Sequence, residues 1–223
     1  MSNRYVYDIE IMGGNFFCVT FINVETEETH VFTIFDKTND LPALESFLDD
    51  EKVLIGYNNI DYDGIILQYL FQNKKSKTLL RDLLDFSTDL IHSERGMSNF
   101  KFNKYKYPEN TKYTQIDLMQ IITVNQSVPS LKLAGIILHW NKVQDLPYEY
   151  DHVVANQEEC NTIIQYNKND ALITLRLYKK LLPQIELREK LSAMYGLDLM
   201  SCSDSKIGDK LLEKFYSEKT GIK

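Results

Sequence analysis

The chain is poor in cysteine, proline and glycine, with 3, 5 and 9 of them in 223 residues. Cys18, Cys160 and Cys202 stand far apart and are odd in number. They offer neither a disulfide framework nor a zinc-ligand spacing, and a reducing cytoplasm suits them. So little glycine and proline excludes a collagen-like repeat and a low-complexity linker. No stretch approaches the roughly 18–20 apolar residues that span a bilayer, and the longest candidate, 133–138, is far too short. The first eight residues lack the apolar core of a signal peptide. Basic excess is also missing. Lys and Arg number 25 against 32 Asp and Glu, a net charge of −7, which excludes a highly basic nucleic-acid coat. What is present is 43% hydrophobic residues and 26% charged ones. That content can bury a core in one large domain, or in a domain with a helical appendage.

The charge is segregated. Residues 1–70 carry −10, residues 71–113 carry +4, residues 114–178 carry −3 and residues 179–223 carry +2. An acidic N-terminal region beside a basic stretch suits a protein that holds cations in one place and phosphates in another. Uneven sampling of an ordinary solvated surface gives the same split.

Three runs rich in aromatic and β-branched residues, 4–9, 16–22 and 29–35, read as an antiparallel meander. A short helix over 41–48 follows, then a buried strand over 52–56 and a helix from about 63 to 71. Further helical periodicity covers 79–91 and 130–138, the latter capped by Ser130. Residues 116–118 read as a short strand or the start of a helix. The strongest helix spans 157–182, with Pro183 just after it, and two more are expected over 184–195 and 204–219. The order indicates an α/β fold with a mixed sheet, antiparallel at first, to which a crossover adds a further strand.

Three carboxylate motifs lie on these elements. Asp8 and Glu10 end the first strand, and residues two apart on a strand share a face. Two carboxylates on one face repel unless a cation lies between them. Chance alone gives about one Asp-x-Glu in such a chain, and Asp49-x-Glu51 is a second copy with no role. Gly56-Tyr57-Asn58-Asn59-Ile60-Asp61-Tyr62-Asp63-Gly64 sits at a strand-to-helix turn, and the pattern Asn-x-x-x-Tyr/Phe-Asp recurs by chance only roughly 0.14 times per chain. Such residues also serve simply as turn cappers. Tyr166-Asn167-Lys168-Asn169-Asp170 lies on the strongest helix, where Tyr166 and Asp170 share a face at the border of the apolar stripe.

Taken together and in this order, the motifs resemble those of the DEDD superfamily of 3′→5′ exonucleases, in the form that carries a tyrosine. The match covers most of residues 4–182. It is most similar to the proofreading domain of family-B DNA polymerases of the protein-primed phage type, and 130–134 resembles a helix start found there between the motifs. The resemblance implies a ribonuclease-H-like fold over 1–182, a helical extension over 183–223, and a bacterial or phage-infected cytoplasm. It also implies two Mg²⁺ or Mn²⁺ ions, the hard-oxygen choice where no His or Cys stands in the motifs. Asp8 would bridge them, Glu10 and Asp170 would complete the nucleophile side, Asp63 would support the second ion, and Tyr166 would orient the attacking water. Two departures stand out. Ile11 follows Glu10 where the family often has Thr, and no polymerase palm motif is present. The chain is thus an excised domain or a stand-alone nuclease.

By the same resemblance Asn59 and Tyr62 contact the 3′ end of single-stranded DNA, and Lys142, followed by Tyr148, lies near the site. Tyr62 reads equally well as a core residue beside the turn. A second nucleic-acid candidate needs no family. Residues 95–113 interleave Arg95, Lys101, Lys104, Lys106 and Lys112 with Phe100, Phe102, Tyr105, Tyr107 and Tyr113. This is the pattern of an amphipathic hairpin, or of one that also stacks on bases. The four histidines are given surface or core roles. Other readings of the whole chain are an RNA or oligonucleotide exonuclease on the same chemistry, and a non-catalytic nucleic-acid-binding module. The C-terminal helices either pack on the core or dock a DNA polymerase domain or subunit.

Overall fold

Runs of aromatic and β-branched residues build the first three strands, β1 (Arg4–Met12), β2 (Phe16–Asn23), which is buried throughout, and β3 (Thr29–Phe35). The computed structural model describes residues 3–92, 102, 104–105, 111–123 and 128–221. A two-residue strand β4 (Thr38–Asn39) precedes helix α1 (Leu41–Leu48), and β5 (Lys52–Gly56) and β6 (Tyr113–Asp117) complete the sheet. Between and after them come α2 (Asp63–Gln72), α3 (Leu79–His92), α4 (Leu118–Ile122), α5 (Leu131–Ile137), α6 (Gln157–Tyr195) and α7 (Asp204–Thr220).

The six strands lie in the order β4-β3-β2-β1-β5-β6. β1 to β4 pair antiparallel, while β5 and β6 join β1 in parallel. The chain is an α/β fold with a mixed sheet covered on both faces. On one face Tyr7, Ile9 and Ile11 pack with Leu44, Ile66 and Leu83 of α1, α2 and α3. On the other, Val6, Ile55 and Ile116 meet Ala171, Leu175 and Tyr178 of α6. Among the described residues no helix is long and apolar enough to cross a membrane.

Two expected boundaries change. β1 extends to Met12, so Asp8 and Glu10 are inside the ladder, opposite Thr20 and Cys18, instead of at its end. Pairing with the long strand β2 carries the extension. The helix expected to stop at Leu182 runs on through Pro183 to Tyr195. Proline removes the bond to the carbonyl four residues back. Here Pro183 and Lys179 are both exposed, so water can take the lost place. Buried Leu181, Ile185 and Arg188 hold the helix on either side. The Arg188 guanidinium donates to the carbonyls of Gln184 and Cys202 at 3.0 Å each, and to Asp204 at 2.7 Å.

Pro183→Ala is expected to stabilise the protein by about 1–3 kcal/mol, because proline costs roughly 3 kcal/mol against alanine inside a helix. Urea unfolding reads this as a higher midpoint at unchanged slope. An unchanged or lower midpoint would mean that the helix is already relaxed around the proline.

Of the basic aromatic stretch, Phe102, Lys104 and Tyr105 are helical instead of hairpin-like, while Lys112 pairs with Asp49 and Tyr113 opens β6. Aromatics three apart lie on one helix face as readily as on alternating strand positions. Phe102 and Tyr105 are buried edge-on to Phe86. Lys104 is exposed, its ammonium 4.6 Å from the Tyr105 ring. Lys101 and Lys106 lie outside the described residues.

Candidate metal centre

Alternation along β1 decides which side chains meet. Tyr7, Ile9 and Ile11 enter the core under α2 and α3, so Val6, Asp8, Glu10 and Met12 face α6. From α6, Ile163, Tyr166, Asn167 and Asp170 come to that face at helical spacing. Carboxylate oxygens of Asp8, Glu10 and Asp170 lie within 4.8 Å of one another. Three acids from two distant segments thus share one spot, supplied by oxygen donors alone.

Asp63 opens α2 beside them. It is buried, and it accepts hydrogen bonds from its own N–H and from the N–H of Ile9, between Asp8 and Glu10. The Tyr166 hydroxyl stands near Asp170 one turn along the helix, and its influence holds the Asp170 carboxyl down against burial. Asn167 Nδ2 donates to Asp8 Oδ2 at 2.8 Å. Lys132, on α5 behind its cap Ser130, is the cation whose charge reaches Glu10 and Asp170, and it pairs with Asp145 at 2.6 Å.

The electrostatics follow from crowding. Burial, then Glu10, Asp63 and Asp170, push the Asp8 carboxyl well above the usual carboxylate range, against the Asn167 bond. Burial, Asp170 and Asp63 do the same to Glu10. Burial raises Asp63 to about 7 against its two N–H donors, with Asp117 adding to the rise. Asp170 is also raised by burial, with Tyr166 and Lys132 opposing. The Tyr166 hydroxyl is itself pushed up, first by burial and then by Asp170. Like charges confined this way need protons or cations.

The turn that carries Asp63 is held from β6. Asn58 takes a left-handed conformation, φ 63°, which asparagine tolerates. Its N–H donates to Asp117 Oδ1 at 2.9 Å, and the same oxygen caps α4 through the N–H of Met119. Packing beneath the turn is close: an added Cβ at Gly64 would stand 2.4 Å from Gln115 Nε2, so the Gln115 amide would have to move.

Asp117 was not among the expected site residues. It is fully buried, with Oδ2 unpaired among the described residues, and burial first raises it to about 6. A strand ending in Asp before an apolar turn of helix is a capping signal that could have drawn notice. Asn167 was missed likewise. Its position one residue after Tyr166 and three before Asp170 places it on the buried face of α6.

Other expected residues fall elsewhere. Asn59 is fully buried, donating from Nδ2 to Gln115 Oε1 at 2.9 Å, an oxygen that Tyr7 also reaches at 2.8 Å. Its part in this structure is to support the turn from beneath. Tyr62 is partly buried against the α2–α3 core, its hydroxyl 2.7 Å from Ser87 Oγ. Lys142 is exposed, and its carbonyl is fixed to α6 by Asn169 Nδ2 at 3.0 Å, while Asn169 Oδ1 accepts from Trp140. Tyr148 stacks on His152 at 4.5 Å and packs against the cluster of Met12, Phe16 and Cys18. No histidine belongs to the carboxylate group. A cavity of about 550 Å³ lined by Arg4, Tyr113, Gln115, Glu189, Asp198 and Met200 contains none of the four acids.

No protein-family model, curated protein or solved structure matches the chain.

Proposed function

We propose that the chain is a metal-dependent 3′→5′ exonuclease of the DEDD type, hydrolysing single-stranded DNA from its end. The observation that carries the reading is the convergence of Asp8, Glu10 and Asp170 within 4.8 Å, at the positions where the motifs lead one to expect it. A sheet of four antiparallel strands continued by two parallel ones agrees with a ribonuclease-H-like fold. A DNA polymerase domain or subunit is the natural partner of such a proofreading activity.

The donor set fits the ions. Oxygen ligands without nitrogen or sulfur suit Mg²⁺ or Mn²⁺. Asp8, Glu10 and Asp170 would hold them, with Asp63 adjacent. Bound divalent ions supply a hydroxide nucleophile at neutral pH and neutralise charge on the phosphate and its leaving oxygen. The chain's own groups do the rest. Tyr166, one turn from Asp170, presents its hydroxyl beside the site and orients water there. The Ile9 N–H keeps the Asp63 carboxylate turned toward β1. Lys132 adds positive charge at the rim, where a phosphodiester backbone approaches.

The test is 5′-labelled single-stranded DNA with Mg²⁺ or Mn²⁺, beside an Asp8→Ala/Glu10→Ala variant. A ladder shortening from the 3′ end is expected, absent in the variant and with EDTA. Cleavage of RNA alone would change the substrate. No cleavage of either, with nucleic acid still bound, would leave a binding module.

A further inference from the structure

We infer that Asn167 is a positioning residue of the carboxylate centre, acting through Asp8. It rests on the reading of Asp8 as a metal ligand. Asn167 is fully buried on α6, and the only hydrogen bond its side chain makes among the described residues goes to Asp8 Oδ2, at 2.8 Å. The other side-chain atom, Oδ1, is buried without a partner. A buried amide that leaves half its capacity unused is costly. A small apolar residue would pack there at lower cost, so the single bond to Asp8 is what the amide is good for.

The chemistry of the bond explains the choice of side chain. Asp8 stands among Glu10, Asp63 and Asp170, all of one sign. A lysine at 167 would hold Asp8 more strongly but would compete with a metal ion for the same charge. A carboxylate would add a fifth negative group without a donor. A neutral amide fixes the direction of the Asp8 carboxylate and still leaves its charge to a cation. Groups that orient a metal ligand in this way typically matter by about ten- to a hundred-fold in metal affinity. The bond also ties β1 to α6, the two elements that supply the three converging acids, so it sets the distance between the halves of the site.

The experiment is Mn²⁺ titration followed by electron paramagnetic resonance on the full chain, for the wild type and for Asn167→Ala. Wild-type protein is expected to bind Mn²⁺. Asn167→Ala is expected to bind it about ten-fold or more weakly, with the melting temperature in EDTA little changed. Asn167→Leu fills the space without a donor and takes the place of the alanine variant if the cavity unfolds the chain. A merely structural role would instead lower the melting temperature in EDTA and leave the Mn²⁺ affinity of the folded protein unchanged. Wild-type affinity in Asn167→Ala or Asn167→Leu overturns the inference while leaving the carboxylate centre standing. Failure of the wild type to bind Mn²⁺ overturns the centre itself.

Discussion

Asp8→Asn is expected to raise the melting temperature of the metal-free protein at neutral pH and to abolish metal-dependent cleavage. The two effects have one cause. Asp8 sits among three other acids, and its burial and their charges disfavour its ionised form. Asparagine keeps an oxygen that can accept from Asn167 and removes the charge. Relief of each kcal/mol of repulsion raises the melting temperature by about 2–4 °C in a chain of this size. The same change removes the charged ligand that β1 contributes and that Asn167 of α6 holds. Cleavage should then fall by on the order of a thousand-fold or more, about 4 kcal/mol of barrier. Mg²⁺ should raise the melting temperature of the wild type by mass action and leave the variant unmoved. Calorimetry in EDTA and in Mg²⁺, with the 3′-end assay, reads all three. A variant less stable than the wild type in EDTA, still stabilised by Mg²⁺, would show that the four acids do not form one charged centre.

The metal-free protein should also lose stability as pH rises from about 4 to about 7. The sign follows from Asp63 and Asp117, raised in the folded chain from 3.8 to about 7 and to about 6. A carboxyl with a raised folded value binds its proton more tightly folded than unfolded. Its contribution is complete below the unfolded value and is lost as pH climbs through the folded one. For Asp63, raised from 3.8 to about 7, the contribution is on the order of 4 kcal/mol. Asp117 adds to the slope below pH 6. Urea unfolding at pH 5 and pH 7.5 in EDTA should show the fall, and Mg²⁺ should restore most of it at pH 7.5 only. A flat profile would mean that these carboxyls are solvated in the folded chain.

Much of the fold was legible locally. Runs of aromatic and β-branched residues specified β1 to β3, a short apolar run specified β5, and periodicity specified most of the helices, because all of these signals are local. The acids of the site were legible too. Their spacings are local, and a carboxylate at the border of a buried face is costly enough to draw notice. Where sequence reading fell short, the reason lay across the chain. Pro183 looks like a helix end until the packing of Ile185 and Arg188 is known. Residues 102–105 carry aromatics that suit a strand or a helix, and contact with Phe86 decides for the helix. Asn59 looks like a surface contact until Gln115 of β6 closes over it. Asp117 and Asn167 gain their parts only through partners 59 and 159 residues away, which no local signal names.

The sequence by itself determined the alternation of β1, the periodicity of α6 and the oxygen-only chemistry of the acids. Only the tertiary structure decided that β1 and α6 lie face to face, and so which neutral groups hold the acids. Those contacts join segments with no local signal of each other, and burial of the two apolar faces is what brings them together.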